Sequence, residues 1–318
     1  MLRLLGSFFL YCFLSSLAFA IVPQKLNAHK ITRVIYITFD GTRWQDVFNE
    51  HPYFPKLWND YAKYLNFYGA PNSNTTMETA SIPVSLPSYQ AQMAGFVQPC
   101  AGNECGRISV ETVAEGIVHR LGVSKKEVAI FASWSGIGFA SESILDTTYT
   151  NAGNVSVVDP DTQQADPVMT DLNQKQILDH IGPDRFDKYT FPQALHYLEK
   201  YQPRFLWISF NDADDLAHEG DLQGYHHILQ FYDNALDTLF ITLKKLHLDQ
   251  ETMVIVTTDH GRGNGDHWTT HGVQFPESKQ TWGFVYNGEL APVAQEGNVY
   301  HYSTLSVRPT IEAALGIY

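Results

Sequence analysis

The segment Thr257–Gly272, TTDHGRGNGDHWTTHG, packs three histidines and two aspartates into sixteen residues. Its glycines oppose a regular helix, so these potential metal ligands or acid/base groups must be presented from turns. A second concentration stands in DADDLAHEGD, where Asp214 and His218 are four residues apart and share one face if the chain turns helically. One carboxylate and one imidazole make half of a zinc shell, and His271 can serve as a third protein ligand while a position stays open for substrate. Asp40, Asp259 and His260 offer a second set of oxygen and imidazole donors. Two divalent ions about 3.5–4 Å apart would hold both the attacking and the departing oxygen of a phosphoryl group.

Such chemistry also needs a nucleophile, and SIPVSLPSYQAQMAG (81–95) supplies hydroxyls. Ser85 precedes or opens a helical pattern, where the helix amides and a metal would both favour its alkoxide. The same position suits a plain N-cap, and Ser81 and Ser88 suit turns; local sequence leaves both readings open.

These residues need elements to hold them. Short β-branched and apolar runs, ITRVIYITF (31–39), VAIFAS (128–133), RFLWISF (204–210), TMVIVTTD (252–259) and TWGFVYN (281–287), read as buried strands. Helical patterns lie between them at Phe54–Leu65, Ser85–Ala94, Ser109–Leu121, Phe191–Tyr201 and Tyr225–Leu246, with a last helix from about Thr304 to Leu315 that ends at Gly316. The alternation predicts an α/β fold, a mostly parallel central sheet with helices on both faces. Ligands bind such sheets at the carboxyl ends of the strands, where Asp40, the 211–215 acidic run and Asp259-His260 would gather. Residues 141–183 are polar and aperiodic, which predicts a loop or cap insertion over the site within a single domain spanning 21–318.

Taken in order, FDGTRW (39–44), VSLPSYQAQMAG (84–95), DADDLAHEG (212–220) and TTDHG (257–261) followed by a histidine resemble the alkaline phosphatase superfamily, and within it the nucleotide pyrophosphatase/phosphodiesterase branch. STLSVRPTIEAALGI (303–317) is similar to the closing helix of such enzymes, so the resemblance spans nearly all of the chain after its leader. It implies an alkaline-phosphatase-like fold and a metal-dependent phosphoric-ester hydrolase working through a phosphoserine on Ser85. By the same resemblance Asp40, Ser85, Asp259 and His260 surround the metal that activates the nucleophile, and Asp214, His218 and His271 the metal that activates water. Zinc suits the imidazole content, and manganese tolerates the same carboxylates.

The pattern is departed from twice. The branch carries an aromatic-Pro-Asn turn after its nucleophile, whereas this chain has Leu86-Pro87-Ser88. Ser88 thus replaces an asparagine that helps hold a nonbridging phosphate oxygen, which favours a phosphatase-type activity over a phosphodiesterase or nucleotide pyrophosphatase. The last histidine ligand also falls unusually close to the Asp-His pair. His271 is preferred because it precedes Gly272 and a return to the sheet, while His267 sits beside Asp266 and Trp268 and either touches substrate or has no role. Arg43 and Arg262 match a phosphate oxygen in bidentate geometry, or else pair with acidic neighbours such as Asp46 and Asp266. Asn103 and Asn264 are further polar candidates, and Tyr89 and Trp44 are expected to wall the pocket. A sulfatase is disfavoured because the nucleophile block lacks the Cys/Ser-x-Pro-x-Arg setting. An inactive zinc-binding protein on the same fold is the remaining alternative from another class.

The first twenty residues, MLRLLGSFFLYCFLSSLAFA, place Arg3 before an apolar run and end on Ala-Phe-Ala, as a cleaved signal peptide does. An exported protein, periplasmic or extracellular, with no membrane span after cleavage is expected. Loss of the leader takes Cys12 away and leaves Cys100 and Cys105, in PCAGNECG, at a spacing that suits a small disulfide loop. Loss of Arg3 takes the net charge from −13 to −14, which opposes a nucleic-acid-binding surface. An anionic phosphate-ester substrate stays compatible, because bound divalent metal reverses the sign locally.

Overall fold

A computed structural model of the chain describes residues 31–48, 52–69, 75–155, 157–179, 182–286 and 300–317. The predicted leader lies outside these, as does Asn287 of the fifth predicted strand. The strands are β1 (Arg33–Phe39), β2 (Leu65–Tyr68), β3 (Thr75–Glu78), β4 (Val128–Ala132), β5 (Tyr149–Ala152), β6 (Phe205–Phe210), β7 (Thr252–Thr257), β8 (Gly283–Tyr286) and β9 (Tyr300–Ser303). The α-helices are α1 (Trp44–Phe48), α2 (Ser85–Ala94), α3 (Val113–Leu121), α4 (Gly138–Ser141), α5 (Pro167–Asp179), α6 (Asp187–Tyr201), α7 (Asp212–Glu219), α8 (Leu222–Lys245) and α9 (Val307–Leu315).

Seven strands form one sheet in the order β2-β8-β7-β1-β6-β4-β5, and β3 pairs with β9 in a small parallel ladder. The inner strands β7, β1, β6, β4 and β5 pair in parallel; β8 runs antiparallel to both β7 and β2. Side chains alternate across β1 with the period of two that a strand imposes. Ile35, Ile37 and Phe39 enter one core with Ala194 and Leu198 of α6 and Leu229, Tyr232 and Leu236 of α8. Val34 and Tyr36 enter the other, with Leu86 and Met93 of α2, Ile117 of α3 and Ile311 of α9. Each such aliphatic side chain, fully buried, contributes roughly 1.5–3 kcal/mol, so the sheet is fixed from both faces and its strand ends are rigid mounts. This is the expected α/β architecture.

Four local readings are corrected. Residues Phe54–Leu65 do not make one α-helix: a π-helical turn at Leu57–Tyr61 and a 3-10 turn at Ala62–Tyr64 run into β2. A tertiary contact sets that start, since the Lys56 and Leu57 amides donate to the Asp233 carboxylate of α8. The Ser109 helix begins later, because Thr112 and Glu115 form a reciprocal capping box ahead of Val113. Residues 141–183 are not loop alone; they supply edge strand β5 and helix α5. Helix α5 escaped the periodicity because it buries only Met169, Asn173 and Gln176 and exposes Val168, Ile177 and Leu178. Finally, α6 starts at Asp187, a turn before the predicted Phe191.

Candidate active site

Because β1, β6 and β7 are adjacent and parallel, their carboxyl ends share one edge. Asp40 directly follows β1, Asn211 follows β6 and leads into α7, and Asp259-His260 follow β7 by two residues. The chain leaves Asp40 through Gly41 at φ +57°, and a Cβ there would lie 2.8 Å from the Arg262 Nη2 atom. Glycine alone satisfies both the left-handed turn and this approach. The Gly41 amide then donates to Asp259 Oδ1 at 3.0 Å, tying the ends of β1 and β7 together.

Asp40, Asp259 and His260 are all fully buried and their ligand atoms lie within 4.8 Å of one another. Ser85 is the first residue of α2, after Val84 at the N-cap position. The N-cap reading of Ser85 is thereby replaced, for its Oγ stands 3.4 Å from both Asp40 Oδ1 and His260 Nε2. The Leu86 amide that opens the helix is capped from outside by Asn103 Oδ1 at 3.0 Å. Tyr89, one turn along α2 and fully buried, donates to Asp40 Oδ2 at 3.0 Å; it supports a carboxylate rather than walling a pocket.

The second cluster joins Asp214 and His218 of α7 to His271, again with ligand atoms within 4.8 Å. His218 Nε2 lies 3.2 Å from Asp214 Oδ2 and 3.1 Å from His271 Nε2. The spacing of four along α7 does place the first two on one face, as the sequence predicts. The His260 and His271 rings stack with centroids 3.8 Å apart, so the two clusters adjoin. Beside His218 opens a cleft of about 590 Å³ whose lining includes Asp212, Asp215, Glu219, Phe186 and Leu216.

Protonation bears on what such clusters can hold. Burial pushes His260 down to about 4 and His271 down to about 3, so both rings are neutral at physiological pH. Each directs Nδ1 at a carbonyl, Gly261 for His260 and Pro83 for His271, both at 2.9 Å. An N–H on Nδ1 leaves a lone pair on Nε2 facing the cluster. Asp259 Oδ2 is fully buried with no hydrogen-bond donor among the described residues, 3.2 Å from that His260 Nε2. Two acceptors at this separation repel unless a cation lies with them. Burial, followed by repulsion from Asp259 and Asp214, raises Asp40 well above the carboxylate range, and burial lifts Asp259 to about 6. Burial also opposes the charge on Asp214, but the Arg262 guanidinium, His218 and the neighbouring imidazoles outweigh it and hold that carboxyl well below the usual range. Oriented imidazoles, carboxylates and an orphaned buried oxygen fit divalent metal at both clusters.

Other predicted residues are placed elsewhere. His267 is exposed in a 3-10 turn against Phe275 and joins neither cluster. Ser88 is fully buried and donates to the Asp259 carbonyl at 2.6 Å, so it braces the ligand turn and presents no hydroxyl to substrate. Arg43 is held by both Asp46 oxygens, at 2.7 and 2.9 Å. Arg262 is buried and bonds not Asp266 but Asp214 Oδ1, with further bonds to the carbonyls of Gly41 (3.0 Å) and Asp214 (3.1 Å). Neither arginine is thus free to take a phosphate oxygen in bidentate fashion. Cys100 and Cys105 form the expected disulfide, with Cα atoms 5.6 Å apart. That closed loop carries Asn103 to the start of α2, a link whose only sequence signal is the short Cys spacing around a Gly-Asn turn.

Solved structures share this architecture. The alkaline phosphatase from the Antarctic bacterium TAB5 aligns with a TM-score of 0.54 at 14% identity, over 91% of this chain and 99% of that one. A 2-O GAG sulfatase gives 0.60 at 13% identity, over 91% and 71%, and the lipoteichoic acid synthase LtaP from Listeria monocytogenes gives 0.57 at 11%, over 92% and 73%. The fold is alkaline-phosphatase-like. No curated protein sequence matches the chain significantly. The family model for type I phosphodiesterase / nucleotide pyrophosphatase matches residues 127–302, more than half of the sequence, and the chain belongs to that family. Membership gives the coarse chemistry, hydrolysis of phosphoric esters. The matched stretch holds Asp214, His218, Asp259, His260 and His271, while Asp40 and Ser85 precede it.

Proposed function

We propose that the protein is an exported two-metal phosphodiester hydrolase that works through a phosphoserine on Ser85. The observation that carries this reading is the Ser85 hydroxyl, 3.4 Å from Asp40 Oδ1 and His260 Nε2 at the head of α2, with a second ligand cluster stacked directly beside it. Asp40, Ser85, Asp259 and His260 would hold one divalent ion, and Asp214, His218 and His271 the other, with zinc preferred. Ions so held would lower the pKa of the serine and of a water and offset charge on the leaving oxygen.

Ser85 Oγ bonds to phosphorus as the bond to the leaving oxygen breaks, and the proton given up by the serine is balanced by the one the departing alcohol takes up. Water then attacks phosphorus, the bond to Ser85 Oγ breaks, and a phosphomonoester leaves with the serine restored. The amide group of Asn103, anchored at Leu86, stands as a neutral donor for a nonbridging oxygen. The cleft beside His218 would receive the leaving group.

The sequence favoured a phosphatase-type activity because Ser88 replaces the branch's asparagine. Two features move the preference to diesters. Ser88 is a buried brace and not a substrate contact, and both candidate arginines are committed to aspartates. A dianionic monoester would lack their compensation, whereas a monoanionic diester needs less. Family membership supports the same choice. The test compares hydrolysis of bis-para-nitrophenyl phosphate with that of para-nitrophenyl phosphate by the metal-replete protein. Faster bis-ester turnover is expected; faster monoester turnover overturns the diester preference; metal uptake without turnover of either overturns the enzyme reading.

A further inference from the structure

The two ligand clusters differ in charge, and a single buried side chain makes the difference. Asp40 and Asp259 bring two carboxylates to the first cluster; their described partners are Tyr89, Ser85, Thr258, the Gly41 amide and His260, and neither is bonded to an arginine or lysine among the described residues. The second cluster has one carboxylate, Asp214, and its Oδ1 is already bonded by Arg262 Nη2. Arg262 is fixed there: its Nε donates to the Gly41 carbonyl and its Nη2 also to the Asp214 carbonyl. The guanidinium is shut off from solvent, so water does not screen it from an ion seated on Asp214 Oδ2. Formal charge at the second cluster therefore cancels, while the first carries a deficit of two positive charges when its carboxylates are ionised.

We infer that Arg262 makes the two metal sites unequal, so that the Asp40/Asp259/His260 site fills first and the Asp214/His218/His271 site holds its ion weakly and loses it first. Arg262 acts through Asp214: it turns Oδ2 toward His218 and offsets the charge that would otherwise grip the ion. This inference rests on the two-metal reading.

The test is calorimetric titration of the metal-stripped full chain with zinc, and competition against a chelator of known affinity. Wild-type protein binds two ions in separable steps, with affinities apart by on the order of a hundredfold. His218→Ala removes the weaker step and leaves the tighter one. Arg262→Gln, which loses the charge and keeps a donor, strengthens the weaker step by about tenfold or more and narrows the gap. Arg262→Lys keeps the charge and preserves the gap. Two equivalent steps in wild-type protein, a measurement that needs no variant, overturn the inference while leaving the two-metal reading intact. So does an unchanged or widened gap in folded Arg262→Gln. Failure of the wild-type chain to bind any ion overturns both.

Discussion

The two clusters are built from different material. Asp40, Asp259 and His260 hang from the ends of two central, mutually bonded strands, and their side chains are at most 2% exposed. Asp214 and His218 sit on the short helix α7, and His271 arrives from a loop; the His218 side chain is 43% exposed. The strand-end cluster encloses Ser85, where exclusion of water strengthens every electrostatic interaction that side chain makes. The helix-and-loop cluster borders an open cleft of about 590 Å³. On the proposed mechanism, position in the fold divides the labour: a rigid, dry mount for the attacking serine and an open one for the second nucleophile.

Substitutions probe that division. The largest effect is expected from Ser85→Ala, which should lower turnover by about a thousandfold or more, as loss of a covalent nucleophile does, with the Asp214 cluster still binding its ion; an active Ser85→Ala protein breaks the assignment of the dry cluster. Next comes the pair His271→Ala and His267→Ala. The first should cost at least about a hundredfold in activity and remove an ion, the second should leave both within about twofold, and metal analysis alongside steady-state rates reads the contrast. Tyr89→Phe deletes the buried donor to Asp40 and should weaken metal binding at the dry cluster by roughly ten- to hundredfold, with the other cluster unaltered.

The smallest effect concerns protons. Burial raises Asp40, so ion uptake at the dry cluster should displace protons from it and tighten as pH rises. Asp214 is held ionised and His271 neutral, so uptake at the open cluster should release none from either. Titration in two buffers of unlike ionisation enthalpy measures both, and equal release at the two steps would erase the electrostatic difference between them.

Much of this is legible in the sequence. The apolar runs ending in Asp40, Asn211 and Thr258-Asp259 announced parallel strands whose ends meet, because a parallel sheet aligns its carboxyl ends. The spacing of Asp214 and His218 announced a shared helical face. His271 was preferred over His267 from its neighbouring glycine, and the structure brings His271, not His267, to the Asp214 pair. What stayed hidden depends on long-range packing. Nothing local marks Tyr89 as the donor to Asp40, or turns Ser88 inward beneath Asp259. For Arg262 the sequence offers a substrate oxygen or an acidic neighbour such as Asp266, and it does not point to the actual partner, Asp214, which is 48 residues away. Strand β5 and helix α5 carry no clean apolar period, and of β2 only Leu65 falls in the Phe54–Leu65 helical pattern, whose observed turns are set by Asp233.

The central claim is that Ser85 carries the phosphoryl group between two nucleophilic steps. Acid quenching of the metal-loaded protein during diester turnover, followed by mass spectrometry of the Ser85 peptide, tests it directly. The account predicts a covalent phosphoryl adduct on Ser85, absent from Ser85→Ala. Sustained turnover with Ser85 unmodified in the wild-type chain, matched by undiminished turnover in Ser85→Ala, would contradict it.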